Sequence, residues 1–435
     1  LGGAALHHFG TWLRLRASDF RMRSLYGVGD DWPIAYEDLR LHYDAVQSEM
    51  GIAGDAGRER GRPPGEPYPM PAHPLFQQAR LLARGFARIG LEPSPLPVAI
   101  NSRVFKGRAA CQYDGWCEAG CPIGALVNPL VLDMQGALAA GASVHAQCTV
   151  TRVLCDSSGR ARAVEYLHGD ERHEIAADHV VLAASVVQNP RILLNSKSSV
   201  HPAGVGNASG RVGTGVMVDL IAPVHGIFPG RTQPERGVNA GQLLVRREYG
   251  EGTRPRPPGA YQWQIAPSHK PNDLLGFANM RPDLYGVALD RFMRSAARSI
   301  GSAVGFAGAV PDPANRIELD SRTGSDGMPL ARLTYSPAPS TMALRAHLVS
   351  EGMSAFRAAG AKQVWADGPA GGHAIGGTPM GANPATSVCD EFGRCHDAPN
   401  VMLAGAGIYP AGSGTSPTFT LYALANRAAQ HVFRA

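Results

Sequence analysis

No stretch of eighteen apolar residues occurs anywhere in the 435-residue chain, so no segment reads as a membrane-spanning helix. Neither sign of charge dominates, since 41 basic side chains stand against 36 acidic ones for a formal net charge of +5. An excess so small and so scattered gives no footing for nucleic acid. Internal repeats and low-complexity tracts are missing. The first residue is Leu1 and no export-signal pattern is visible, so the chain reads as truncated or processed at its start. Cysteine is sparse, seven in all, and an odd number argues against a simple disulfide framework.

What is present is a globular composition, 44% hydrophobic and 18% charged. The length exceeds one ordinary core and predicts two domains. Gly 52 and Pro 34 make up about a fifth of the residues, so loops are plentiful. Asp31-Trp32-Pro33 leads into a helix in which Tyr36, Leu39 and Tyr43 recur at helical spacing. Residues 61–73 read as loop, Phe76 to Ile89 as helix, and 101–129 as a long irregular loop. Cys148 to Leu154 and Ala161 to His168 alternate as strands around a hairpin turn at Asp156-Ser157-Ser158-Gly159. His179 to Ala183 is a buried strand, and Asn189-Pro190 starts a helix. That order is half of a nucleotide-binding α/β domain. Further on, Arg316 to Asp320 and Leu330 to Tyr335 read as strands of a separate sheet, with a helix from Thr341 to Ala358.

The most informative segment is H-A-I-G-G-T-P-M-G, His373 to Gly381. About thirty residues on come an apolar strand (Val401 to Ala404), a glycine-rich turn (Gly405 to Gly414), and Ser416-Pro417-Thr418 opening a final helix. A histidine in a glycine-rich loop beside a strand–turn–helix ending points to a base held against a flat cofactor, which glycines let the backbone approach. Imidazole, with an unperturbed pKa near ~6.5, suits that work. The structural alternative for Ser416-Pro417 is an ordinary helix N-cap and first turn. For Gly405-Ala406-Gly407 it is a plain strand-to-helix connection.

Cys111, Cys117 and Cys121 crowd into one loop with spacing C-x5-C-x3-C, and Pro122 follows the last. Three thiolates leave a four-coordinate zinc site one ligand short and suit a cluster with one thiolate per iron. Buried thiols, or a disulfide with one spare, are the bland readings. Cys389 and Cys395 read as free, partly buried cysteines, with a small disulfide across their turn as the alternative in an oxidising compartment, and Cys148 and Cys155 as residues that pack or point outward. His396-Asp397 reads as a loop hydrogen bond.

The C-terminal motif, with its order and spacing, resembles the signature of the glucose–methanol–choline (GMC) flavin oxidoreductases, in particular the branch of gluconate 2-dehydrogenase flavoprotein subunits. Trp32-Pro33-Ile34, Val180 to Ala184, Asn189-Pro190-Arg191, Gly206-Asn207 and Asn315-Arg316 fall in the family's order, so the resemblance covers nearly the whole chain. It implies an α/β (mixed α+β) fold, an incomplete FAD-binding Rossmann-like domain interleaved with a sheet-based substrate domain. The expected division is 1–221 for the FAD side with the cysteine loop, 222–394 for substrate, and 395–435 for the return to the FAD side. It also implies flavin contacts at Gly2, Gly3, His7, Val150, Ala183, Ala184, Gly405, Ala406, Gly407, Pro417 and Thr418. His373 becomes the catalytic base. Ser416 stands where many relatives carry asparagine or histidine as a second catalytic group. The cysteine spacing resembles that of sugar dehydrogenases with a [3Fe–4S] centre, ligated here by Cys111, Cys117 and Cys121.

One piece expected of the family is not found, namely strand–G-x-G-x-x-G–helix, which seats the FAD pyrophosphate on backbone N–H groups. Either that unit lies upstream of Leu1, which is the favoured expectation, or the chain cannot hold FAD tightly. The function so implied is dehydrogenation of an alcohol C–OH in a sugar, sugar acid or polyol by hydride transfer to FAD. Electrons then pass through the cluster to a cytochrome c subunit, with a small subunit as a further partner. The alternatives are an oxygen-using flavin oxidase and a non-catalytic remnant. Compartment stays open, since relatives of this branch are often exported folded with a partner subunit.

Overall fold

The computed structural model describes residues 3–249 and 257–432 of the chain. After a 3-10 turn at Gly3–Leu6 come α1 (Met22–Tyr26), α2 (Tyr36–Met50), α3 (Gln77–Arg88), the short strand β1 (Ser94–Pro95) and α4 (Asp133–Ala139). The strands β2 (Cys148–Cys155), β3 (Ala161–His168) and β4 (Glu171–Ala176) precede β5 (Val180–Leu182) and α5 (Gln188–Asn195). Next are β6 (Met217–Ile227), β7 (Leu243–Arg247), β8 (Tyr261–Ile265), α6 (Asp273–Asn279), α7 (Gly286–Ser299) and β9 (Ile300–Ala307). A hairpin, β10 (Arg316–Thr323) with β11 (Pro329–Thr334), is followed by α8 (Pro339–Ala358), β12 (Gln363–Ala366) and β13 (Ala370–Ile375). The described chain closes with β14 (Val401–Leu403) and α9 (Thr418–Val432).

The largest sheet has seven strands. β1, β7, β8, β9 and β6 lie side by side, all antiparallel, and the far edge of β6 takes both β12 and β13. Because successive side chains on a strand point to opposite faces, the register sorts the sheet into two surfaces. Val245, Trp263, Ala303 and Val224 point one way and pack with Leu344, Leu348 and Phe356 of α8 and Phe86 of α3. Each fully buried leucine or phenylalanine in that layer contributes about 1.5–3 kcal/mol. The opposite surface carries Asp219, Ile221, Arg246, Gln262, Gln264 and Phe306.

A smaller layer pairs β14 with β5 in parallel, Val401 opposite Val180 and Leu403 opposite Leu182, beside the antiparallel meander β2–β3–β4. Helix α2 enters through the carboxylate of Asp38, which accepts from the Ala35 N–H at 2.7 Å. The buried face of α2 meets α9, where the Tyr43 hydroxyl shares a 2.6 Å hydrogen bond with Thr420 Oγ1 and the Tyr43 ring meets Phe419 edge-on at 4.8 Å. That contact joins the early chain to its last helix. No helix among the described residues is long and apolar enough to cross a membrane.

Two expectations are corrected. The strands at Arg316 and Leu330 stand outside the main sheet of the substrate side that they were expected to share: β10 and β11 form a two-stranded sheet of their own, with a lone bridge from Arg316 to Thr214. Ile317 N donates to Gly213 O at 2.8 Å, and Arg191 of α5 donates to Pro329 O at 2.7 Å and ion-pairs with Asp326 at 2.8 Å. With R-I-E-L-D-S-R-T along β10, the hairpin has little apolar surface to lay on a sheet. The second correction is that His373 stands on strand β13, and the glycine turn begins only after Ile375.

Candidate active site

β13 runs along β6 with Ala374 opposite Val218 and Gly371 opposite Leu220. The pairing carries His373 to Asp219, whose Oδ2 accepts from His373 Nδ1 at 3.1 Å. Asp219 is buried, 2% exposed, and its other oxygen accepts from Ala309 N at 3.0 Å. As a carboxylate it only accepts, so Nδ1 carries the proton, and in the neutral ring Nε2 is the nitrogen with the lone pair that a base requires. The Phe306 ring lies nearly parallel to the imidazole, centroids 5.1 Å apart at 17°. Nδ1 and the ring face are both held, and His373 remains partly exposed.

What fixes the end of β13 is the turn behind it. Gly376 has φ +82, and a Cβ there would lie 2.4 Å from Gly215 O. Its N–H donates to Ala406 O, and Thr378 N donates to Gly407 O, each at 2.9 Å. The histidine segment and the glycine turn after β14 are therefore bonded backbone to backbone.

Ser416 is buried at the entry of α9. Its Oγ accepts from Gln262 Nε2 at 2.8 Å and from Gln264 Nε2 at 3.2 Å. Gln262 is opposite Phe306 on β9 and opposite Arg246 on β7. Since Phe306 stacks on His373 and Gln262 holds Ser416, one surface of the large sheet gathers both predicted catalytic side chains. In the same row Arg246 Nη2 donates to Thr415 Oγ1 at 2.9 Å and to Arg14 O at 3.1 Å. Among the described residues, Arg246 Nη1 and Gln262 Oε1 are buried and meet no hydrogen-bond partner. Burial, joined by Arg16, pushes the Arg246 pKa down to about 10, against the pull of Asp19 and Glu59. Burial likewise pushes Asp19 up to about 6.

The expected flavin contacts divide into two groups. Ala183 and Ala184 are exposed just past β5, and Gly405 and Ala406 are partly exposed just past β14. Asn189 ties the two ends together, accepting from Ala184 N at 2.8 Å and donating to Leu182 O and Ala404 O. Dinucleotide ligands bind outside the carboxyl ends of parallel strands, and these two ends are such a place. Gly405 has φ +95 with nothing within 4 Å of a built Cβ, so its backbone faces open space. Gly407 and Pro417 are buried, and Thr418 opens α9. In the second group, Gly3 begins the 3-10 turn, exposed His7 approaches Glu118 O at 3.5 Å, and Val150 sits on β2 opposite Tyr166. Gly2 lies outside the described residues.

Cys111, Cys117 and Cys121 pack with Leu13, Val238 and Leu244. Tyr113 N donates to Cys111 Sγ at 3.3 Å, and Asn239 N to Cys117 Sγ at 3.4 Å. Burial pushes the Cys111 thiol up to about 11 and the Cys117 thiol up to about 12. Among the described residues no group of three His, Cys, Asp or Glu side chains is placed to hold one metal ion. All seven cysteines are free, which removes the reading of a disulfide with one spare. His396 bonds Ser387 Oγ at 2.8 Å, and Asp397 accepts from Gly206 N at 2.8 Å and Ala208 N at 3.1 Å.

Asp219, Gln262, Gln264 and Arg246 were not anticipated. The available signals were an acid inside the apolar run M-V-D-L-I-A and the alternation Y-Q-W-Q-I.

Residues 77–217 and 311–425 match the N-terminal and C-terminal models of the GMC oxidoreductase family. The chain is similar to the fructose dehydrogenase large subunit of Gluconobacter japonicus, 29% identical over 99% of this chain and 80% of that one. It is also similar to paromamine 6'-oxidase of Streptomyces fradiae, 28% identical over 99% of this chain and 78% of the relative. In fold it resembles the crystal structure of pyridoxine 4-oxidase from Mesorbium loti, with a TM-score of 0.60, 16% identity, and coverage of 98% and 82%.

Proposed function

The chain belongs to the GMC oxidoreductase family, its relatives include a fructose dehydrogenase subunit and a paromamine 6'-oxidase, and we propose that it is an FAD enzyme that oxidises the C–OH of a polyhydroxylated alcohol with His373 as base. The substrate class is a sugar, sugar acid or polyol. On this reading residues 1–221 and 395–435 serve the flavin, and 222–394 serve the substrate.

The observation that carries the proposal is the Asp219–His373 pair at 3.1 Å on the polar face of the large sheet. FAD, held there, would supply the acceptor for the hydride of the carbinol carbon. The hydroxyl proton goes to His373 Nε2, the nitrogen that carries the lone pair of the neutral ring when Nδ1–H faces Asp219. A base so placed is worth roughly 10²–10⁴-fold in rate. A polyhydroxylated substrate is supported by the similarity to a fructose dehydrogenase large subunit. The open backbone at Gly405 and the exposed ends of β5 and β14 fit a dinucleotide.

Cys111, Cys117 and Cys121 would hold a [3Fe–4S] cluster, which supplies one-electron transfer to a cytochrome-type subunit. Two of the sulfurs accept backbone N–H bonds, the kind of bond that cluster sulfurs take. The similarity to an oxidase favours a second reading, direct use of oxygen without iron. Iron analysis and electron paramagnetic resonance of anaerobically purified protein separate the two.

The base is tested with His373→Ala in the full-length flavoprotein. The variant is expected to keep its yellow colour and to lose reduction of the flavin by polyols, aldonates and sugars. Undiminished reduction removes His373 from the chemistry.

A further inference from the structure

Cys389 and Cys395 stand directly opposite each other in an antiparallel bridge. The bonds on either side fix the kind of pairing. Asp390 N donates to Arg394 O at 2.9 Å and His396 N donates to Val388 O at 3.2 Å, so the two cysteines form a pair without backbone bonds between them. Opposed residues of that kind have Cα atoms about 4.5 Å apart and side chains on one face. A disulfide asks for Cα atoms roughly 4.4–6.8 Å apart. Asp390 holds the turn between them, its Oδ1 accepting from Phe392 N at 2.8 Å and from Arg394 N at 3.0 Å, with Gly393 at φ +87. Both thiols are reduced in this structure and are buried in one apolar cluster with Met380 and Val388.

We propose that Cys389 and Cys395 are a disulfide site, closed by an external disulfide donor while the chain folds and sealed once it has folded. The reaction is thiol–disulfide exchange. One cysteine sulfur attacks the donor and releases a donor thiol, and the second cysteine then displaces the remaining donor sulfur. In net, two electrons and two protons pass to the donor, whose disulfide becomes two thiols, while one S–S bond forms between residues 389 and 395. Exchange needs a thiolate that the donor can reach. In the fold Cys389 is 0% and Cys395 1% exposed, and burial pushes both thiols well up from the ordinary range. Exchange is therefore confined to the open hairpin, and the same burial shields the finished bond from reductants.

The hairpin lies between two segments of the candidate site. Gly381 N donates to Cys389 O and Val388 N to Pro379 O, each at 2.9 Å, which ties it to the turn after His373. Cys395 N donates to Val401 O at 2.8 Å and Leu403 N to Gly393 O at 2.7 Å, which ties it to β14. The bond is thus a staple across the backbone that carries both.

The experiment makes the full-length flavoprotein in a bacterial host with a reducing cytosol and in one whose cytosol is oxidising. Each preparation is denatured in iodoacetamide, digested with trypsin without reduction and mapped by mass spectrometry. Trypsin cuts after Arg394, so the bond appears as two joined peptides, two hydrogens lighter than their sum. The joined pair is expected from the oxidising host, and alkylation of both residues from the reducing one. Reduced holoenzyme kept folded with oxidised glutathione should stay unlinked for about an hour, and should link roughly tenfold faster or more at its urea midpoint. The linked protein should melt about 3 °C above the unlinked one, a difference that Cys389→Ser and Cys395→Ser each abolish. Cys155 is the competing thiol, partly exposed and packed against the same cluster, and Cys155→Ser should leave the joined pair intact. Alkylation of both residues in protein from the oxidising host, or a link from either to Cys155, would overturn the site. Linking of the folded protein as fast as at the urea midpoint would overturn the sealing, and equal melting temperatures the staple. If the serine variants do not fold, peptide mapping of the parent decides alone.

Discussion

Asp219 sets which nitrogen of His373 is free, and an amide at that position should reverse the choice. In Asp219→Asn the new Oδ1 can keep the Ala309 N–H bond while Nδ2 turns to His373 Nδ1, in place of the carboxylate at 3.1 Å. An amide N–H facing Nδ1 requires a lone pair there, which sends the proton to Nε2 and removes the base. Asp219→Ala removes the orienting bond without imposing the wrong tautomer. We therefore expect Asp219→Asn to cost about 10²-fold or more in flavin reduction and to exceed the loss in Asp219→Ala, even though the alanine variant is the less stable protein. Rapid-scanning absorbance with each variant at matched flavin content measures this. An alanine variant slower than the asparagine variant would mean that Asp219 acts by position alone.

The strands and helices that periodicity could find were those with one buried face. α2, α3, the β2–β3 hairpin, α8 and α9 were all legible, because apolar spacing, turn residues and a proline near the start of α8 agree. The core of the large sheet was not. Tyr261–Ile265 is buried at every position, and β6 carries Pro223 and Gly226, residues that argue against a strand. β10 and β11 were legible as strands but not as partners, since pattern gives a face and not what covers it. The same limit hid Asp219, which lies 154 residues before His373, whereas His373 stood out through the glycines beside it. Those glycines lead to a direct test. Gly376→Ala must adopt φ near +82 and place a methyl 2.4 Å from Gly215 O. It should cost about 1–3 kcal/mol from backbone strain, with more from the clash, read as a lower urea midpoint and lower flavin content. A variant as stable as the parent would show that the turn does not hold β13 in register.

Stability against acid is decided by groups that lie far from one another but add in one unfolding transition. His73 joins the start of α3 to the cysteine loop, bonding Ile100 O at 3.0 Å and Tyr113 OH at 3.2 Å. Burial pushes its pKa from 6.5 down to about 4. His269, beside His225 and Lys270, is pushed by burial to about 3. A depressed histidine gives its full contribution above 6.5 and loses it as pH falls toward the folded value, by up to about 3 kcal/mol for His73. Asp19 runs the other way. Its ordinary 3.8 rises to about 6, so its contribution is full below 3.8 and is lost as pH rises through 6. Two histidines oppose one aspartate between about pH 4 and 6, so the melting temperature should fall on acidification from 6.5, but less steeply than the histidines alone dictate. Asp19→Asn removes the opposing slope while its amide oxygen can still accept from Arg16 N, now at 2.7 Å to the carboxylate. Its melting curve should be steeper than the parent's over that window, and that of His73→Leu shallower. Calorimetry at half-unit steps from pH 4 to 7 measures both. Curves parallel to the parent's would mean that these buried groups keep ordinary affinities for protons in the fold.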